Sequence, residues 1–277
     1  GATIEKGTIV LSGGKIAALG TNVSVPAGAK VVDGSGKTVY PGLIDGLTTL
    51  GLAEIGSVPG SVDTSEVGDV NPHAKAWIAV HAHSELLPVA RANGLTAALA
   101  APQGGLVSGQ SALIRLTGTT PDALTVKTPV AMHINYPTGR ATFDFTRMFE
   151  EPELKTFEDR QKEKKKNQEK ELKRLANLLG EAKAYGAALE AAKAGRAAVP
   201  KPDLPMEALA PVARGELPVI MRADDEADIR GAVRFAGEHG LELVIAGGLD
   251  AWRCADLLKE KNVPVLVNVD RLPRKES

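Results

Sequence analysis

Cysteine occurs once in the 277 residues, as Cys254. An intrachain disulfide and a multi-cysteine zinc site are both excluded. A small buried helix residue is the ordinary use of a solitary thiol. A catalytic thiol would need a histidine beside it in an electropositive pocket. Aromatic residues make up only 4% of the chain, too few for the stacking surfaces that hold single-stranded nucleic acids. Neither sign of charge prevails: 33 Lys and Arg stand against 34 Asp and Glu, for a formal net charge of -1. That balance gives no electrostatic reason to expect a nucleic acid or an anionic membrane as partner. No apolar run approaches the roughly 20 residues that span a bilayer, and no signal peptide is present. The chain opens at Gly1 rather than methionine. A soluble protein is expected, with a cytoplasmic location and an exported one that has lost its signal both left open.

What is present is ordinary for a globular protein: 43% hydrophobic and 24% charged residues, in a length that holds one large α/β domain plus a small appendage. Residues 8–11 and 15–19 read as strands joined by Ser12-Gly13-Gly14, a tight hairpin turn. Residues 30–33 and 38–40 read as two more short strands. From about residue 40 the pattern changes to apolar runs alternating with helical stretches, as in βα units. The candidate strands are 42–44, 96–100, 130–134, 218–221, 243–245 and 263–267, apolar almost throughout, as strands buried on both faces must be. Helices are expected over 85–93, 226–239 and 251–261, the last with Asp250 as N-cap. Residues 149–199 form a charged helical insertion. Its interleaved Glu and Lys favour a solvated helix face over a nucleic-acid stripe. Pro200, Pro202, Pro205 and Pro211 then mark a loop back to the next strand.

Three stretches carry a family resemblance: residues 31–45, which contain Pro41-Gly42-Leu43-Ile44-Asp45; residues 87–96; and residues 217–268. They are similar to the amidohydrolase superfamily, the last stretch to its imidazolonepropionase-like branch, and the likeness covers nearly the whole chain. It implies an α/β fold: a TIM-type (β/α) barrel of the metallo-dependent hydrolase type over residues 41–277, with a small N-terminal β-sandwich-like appendage at 1–40. It implies hydrolysis of C–N (non-peptide) bonds in small molecules by a zinc-activated water. In such proteins histidines follow the Pro-Gly-Leu-Ile-Asp run and close later strands. The matching positions here hold Leu47, Thr49, Arg222 and Gly247. Leucine and glycine offer no lone pair, a threonine hydroxyl is a poor zinc ligand, and arginine repels a divalent cation. The expectation is therefore an eroded site with no metal ligand and no cofactor, although zinc is what the family implies. The alternative is a non-catalytic ligand-binding or structural subunit on the same scaffold. Six strands rather than eight point to an incomplete barrel, completed by another part of the protein, by a second chain or by another copy in a homo-oligomer.

Several residues remain able to carry chemistry. His133 stands at the exit of a candidate strand, where a side chain can face a barrel mouth. If Arg222 shares that mouth, the pair would bind an anion or polarise a carbonyl. Asp224 and Asp225 follow Arg222, and as paired carboxylates would act as acid and base or hold magnesium, with capping of the next helix as the favoured structural reading. Asp45 resembles the family's strand-end aspartate; without a histidine to orient, it is left to local hydrogen bonding. His133, Arg222 and Asp224 are the catalytic candidates, and Asp45 and Asp225 the ligand-binding ones. His81-Ala82-His83 has the spacing of a metal pair but precedes a helix, which favours exposed loop histidines. His239 suits a helix C-terminus. The glycines of 102–111 would let backbone amides approach a ligand, although a turn-rich connection is the favoured reading.

Overall fold

The computed structural model of the chain describes residues 3–139 and 156–268. Contacts divide it into two units, Gly1–Pro41 and Gly42–Ser277. The first holds an antiparallel hairpin of β1 (Thr8–Ser12) and β2 (Lys15–Gly20). Gly13 and Gly14 turn it at φ of 56° and 74°, a doubly positive geometry that matches the twist of the flanking strands and favours glycine. Residues 30–33 and 38–40, which read as strands, carry no ladder, and no described side chain of this unit is buried. A lone hairpin offers too little apolar face to order further strands against it.

The second unit is mixed α/β. Its elements run β3 (Leu43–Thr48), α1 (Ala76–Ala79), α2 (Leu86–Ala92), β4 (Leu95–Ala100), β5 (Val107–Gln110), β6 (Ala112–Arg115), α3 (Pro121–Leu124), β7 (Thr125–Lys127) and β8 (Met132–Asn135). They continue with α4 (Phe157–Lys193), α5 (Leu204–Ala213), β9 (Val219–Ala223), α6 (Glu226–His239), β10 (Leu243–Gly247), α7 (Ala255–Glu260) and β11 (Val265–Val267). One sheet has the order β11-β10-β9-β8-β5 and the other β3-β4-β6-β7. The strands β8 to β11 are mutually parallel, as are β3 and β4, and β5, β6 and β7 run antiparallel to their neighbours.

Alternation along the strands explains their apolar sequence. Met132, Ile134, Val219, Met221, Leu243 and Ile245 pack outward against the helices, on Leu175 and Leu179 of α4, Leu209 and Val212 of α5, and Ile229 and Ala232 of α6. The intervening residues turn to the other face. Leu99, Ala131, Ile220 and Ala246 form a separate apolar cluster there, joined by Leu47, Val244 and Leu266. This cluster draws on both sheets. Leu266 of β11 lies so close to β3 that its Cδ2 would stand 3.1 Å from a Cβ on Gly46.

The helical insertion is a single helix over the described residues, 37 residues long. Thr156 starts it, accepting from Asp159 N at 3.2 Å while donating to the Asp159 carboxylate at 2.7 Å, so the first turn is capped from its own sequence. Residues 149–155 of the expected insertion lie outside the described residues. No helix among the described residues is long and apolar enough to cross a membrane.

Four local expectations need correction. The Gly-rich stretch 102–111 contains β5, whose Gly109 takes φ of 126° and lies so close to Ala74 that a Cβ would meet Ala74 O at 2.7 Å, both of which favour glycine. The short strands β6 and β7 have no counterpart among the expected strands. The proline-marked segment 200–211 is mostly α5: Asp203 caps it by accepting from Met206 N at 3.0 Å, Pro205 sits in the first turn where no N–H is needed, and Pro211 lies inside the helix. The expected helix 251–261 is a 3₁₀ turn, Ala251–Cys254, followed by α7. Asp250 caps neither of these. Its Oδ2 instead accepts from Glu226 N, at 3.4 Å, at the start of α6, while Asp225 at the N-cap position of α6 makes no side-chain cap bond. Tertiary approach has given the capping role to a residue 24 positions away.

Candidate functional site

The parallel strands all point their C-terminal ends the same way, and a cavity of about 210 Å³ opens there. Its floor is apolar, from Leu47 of β3, Ile220 of β9 and Ala246 of β10. Polar groups enter from β8, β9, β5 and the loop before β5: His133, Asn135, Arg222, Ser108 and Gln103. The register explains the meeting. His133 pairs with Ile220 and Asn135 with Arg222, so residues two apart on each strand share the inner face.

His133 is only 6% exposed, and its Nε2 has no hydrogen-bond partner among the described residues. Burial pushes its pKa down from 6.5 to about 4, and the nearby Arg222 charge acts in the same direction. The imidazole is therefore neutral near pH 7. Arg222 is exposed, and Tyr136 N donates to its carbonyl at 3.1 Å. Asn135 and Ser108 are already engaged. The Asn135 Nδ2 donates to Gly105 O at 2.7 Å and to Ser108 Oγ at 3.2 Å, and the Ser108 hydroxyl donates to Gly104 O at 2.7 Å. These bonds tie the glycine-rich loop onto β8 and hold one wall of the cavity in place.

The other sequence candidates are placed apart from this wall. Asp224 and Asp225 follow β9 but are not among the lining residues, and neither is Asp45. The Asp224 carboxylate lies against Gly247: a Cβ at that position, where φ is 94°, would overlap its Oδ1. Asp45 Oδ1 accepts from Leu47 N at 3.2 Å, a local turn bond. Thr49 also lies off the cavity; its carbonyl accepts from Leu52 N at 2.8 Å. His81 and His83 are exposed, their rings 6.2 Å apart and edge to face, with His81 Nδ1 3.7 Å from Glu54 Oε1. His239 ends α6 and its ring packs on Phe235 at 4.4 Å. Cys254 is buried, with Sγ 3.8 Å from Glu226 O. Gln103, Ser108 and Asn135 escaped the sequence reading as site residues. The period-2 pattern from His133 to Asn135 was the available signal for the last.

The donors facing the cavity are thus one neutral imidazole, a guanidinium, amides and hydroxyls. Among the described residues, no three His, Cys, Asp or Glu side chains are grouped in a way that would hold a metal ion.

The sequence matches no protein-family model and no curated protein. Among solved structures, it is similar to an amidohydrolase from Thermotoga maritima MSB8, with a TM-score of 0.79 and 26% identity, over 94% of this chain and 65% of that one. The fold is amidohydrolase-like. The chain spans about two thirds of the length of that relative.

Proposed function

We propose that this is an amidohydrolase-like protein, built on an incomplete TIM-type (β/α) barrel, that keeps a small-molecule cavity at the strand ends but has lost the zinc-binding set. The scaffold descends from hydrolases of C–N (non-peptide) bonds, of the imidazolonepropionase-like branch. The observation that carries the reading is the cavity's donor set. Zinc in a hydrolytic site takes three imidazole, carboxylate or thiolate ligands and an open position. Here one imidazole faces the cavity beside a permanent cation. Leu47 belongs to the apolar floor, and Gly247 has no room for a side chain while Asp224 lies against it. That set does not fit zinc.

On this reading His133 and Arg222 do what chemistry the cavity offers. Arg222 attracts negative charge, and the neutral His133 gives or accepts one hydrogen bond at Nε2. Asp224 is a catalytic candidate only if the site acts without metal; Asp45 and Asp225 would touch a ligand only if it extends past the cavity. The second reading, a non-catalytic ligand-binding or structural subunit, shares this cavity and is favoured by the same donor set.

Metal analysis of the purified protein, with assays on amide, lactam and imide substrates, tests the proposal. Little bound zinc is expected, with any hydrolysis insensitive to chelators. Stoichiometric zinc with chelator-sensitive hydrolysis overturns the eroded-site reading. Absence of both zinc and hydrolysis removes the hydrolase and leaves the ligand-binding subunit.

A further inference from the structure

We propose that the strand-end cavity receives a small organic monoanion, most simply a monocarboxylate, with the carboxylate on the Arg222 guanidinium and a neutral polar group of the ligand against His133 Nε2. This rests on the reading that the cavity is a ligand site and goes further by naming the ligand's chemistry.

Charge is the first argument. Among the described residues that line the cavity, Arg222 is charged and no Asp or Glu is present. Arg222 is exposed at the cavity wall, and its side chain makes no ion pair among the described residues. A guanidinium presents a planar fork of donors that matches a carboxylate in bidentate fashion. With the carboxylate of Asp224 held against Gly247, no Asp or Glu among the described lining residues takes that fork.

His133 supplies the second argument, independent of charge. Its ring is buried, lines the cavity and leaves Nε2 without a hydrogen-bond partner among the described residues. A buried polar atom left unbonded costs free energy that a ligand hydrogen bond would return. Because burial keeps this ring neutral, it adds no second positive charge, and the cavity matches one negative charge rather than two. Asn135 and Ser108 are excluded as principal ligand donors, since their N–H and O–H groups are spent on the loop.

Size and polarity narrow the ligand further. The cavity, at about 210 Å³, falls below the roughly 300–1,000 Å³ of sites for drug-sized molecules. Leu47, Ile220 and Ala246 give it an apolar floor. A short carboxylate with an alkyl portion and one further neutral polar group satisfies all three surfaces.

Calorimetric or NMR titration of the full chain with propionate and N-acetylglycine, and with their neutral partners propionamide and N-acetylglycinamide, tests this. The carboxylates are expected to bind, the amides about tenfold more weakly or worse, and the carboxylate affinity to fall with added salt. Arg222→Met should abolish the preference and Arg222→Lys should keep part of it; the position is exposed, so folding, checked by circular dichroism, is expected to be retained. Equal binding of amides and carboxylates by the unaltered protein overturns the anion assignment while leaving the cavity a ligand site. So does carboxylate binding by Arg222→Met as tight as the original. If none of the four compounds binds at millimolar concentration, both the assignment and the ligand-site reading fall.

Discussion

At the residue scale, His133 couples the cavity to folding. Its pKa of about 4 in the folded chain, against 6.5 in an unfolded one, means that the unfolded state takes up a proton first as the pH falls. The stabilising contribution of the neutral ring is complete above about pH 6.5 and is lost as pH drops toward 4, a difference of about 3 kcal/mol. Denaturant midpoints measured across this range should fall in the original protein, and His133→Gln, which stays neutral, should lack that component. Identical pH profiles for the two proteins would remove the buried-imidazole assignment. Gly247 teaches a complementary lesson. Its positive φ and the Asp224 carboxylate beside it mean that placing any side chain there demands rearrangement of β10 and the chain after β9.

At the scale of elements, capping decides where helices begin. Asp203 starts α5 by bonding Met206 N, which lets a proline-rich segment form a helix whose Leu209 and Val212 are completely buried. Asp203→Ala should cost about 1 kcal/mol, read from chemical denaturation, and no change in midpoint would show that the cap is dispensable. The start of α6 is governed from further away. Asp250 reaches its first N–H while the adjacent Asp225 does not cap it, a choice no local pattern could announce. The end of α6 is local: Gly240 takes the left-handed conformation at φ of 65°, which the Glu238-His239-Gly240 sequence makes legible in advance.

Across the whole molecule, the buried side chains among the described residues all lie beyond residue 41. Apolar burial is the dominant stabilising term, so a chain of residues 42–277 should fold on its own and keep most of its resistance to denaturant. A large fall in denaturant midpoint on removing residues 1–41 would contradict this. The inner apolar cluster links strands from both sheets, and its top is the cavity floor. The fold's central packing and its candidate site are therefore one continuous structure, in which a change in floor residues such as Ile220 acts on both.

Period-2 and helical apolar patterns, the turn glycines and the Pro41–Asp45 run were enough to place the parallel strands and α6, because these depend on short-range sterics and on which face must leave water. His133 and Arg222 were legible as candidates because each closes such a strand. The short antiparallel strands β5 to β7 were not, since their glycine and polar content looks like loop until a neighbouring strand supplies hydrogen bonds. Nor was the division of labour among the aspartates: Asp250 caps α6, Asp224 lies against Gly247 and Asp45 bonds its own turn. A carboxylate's role depends on which donor the fold brings within 3 Å or so. That distance is set by strand register and helix packing across dozens of residues, which only the tertiary structure decides.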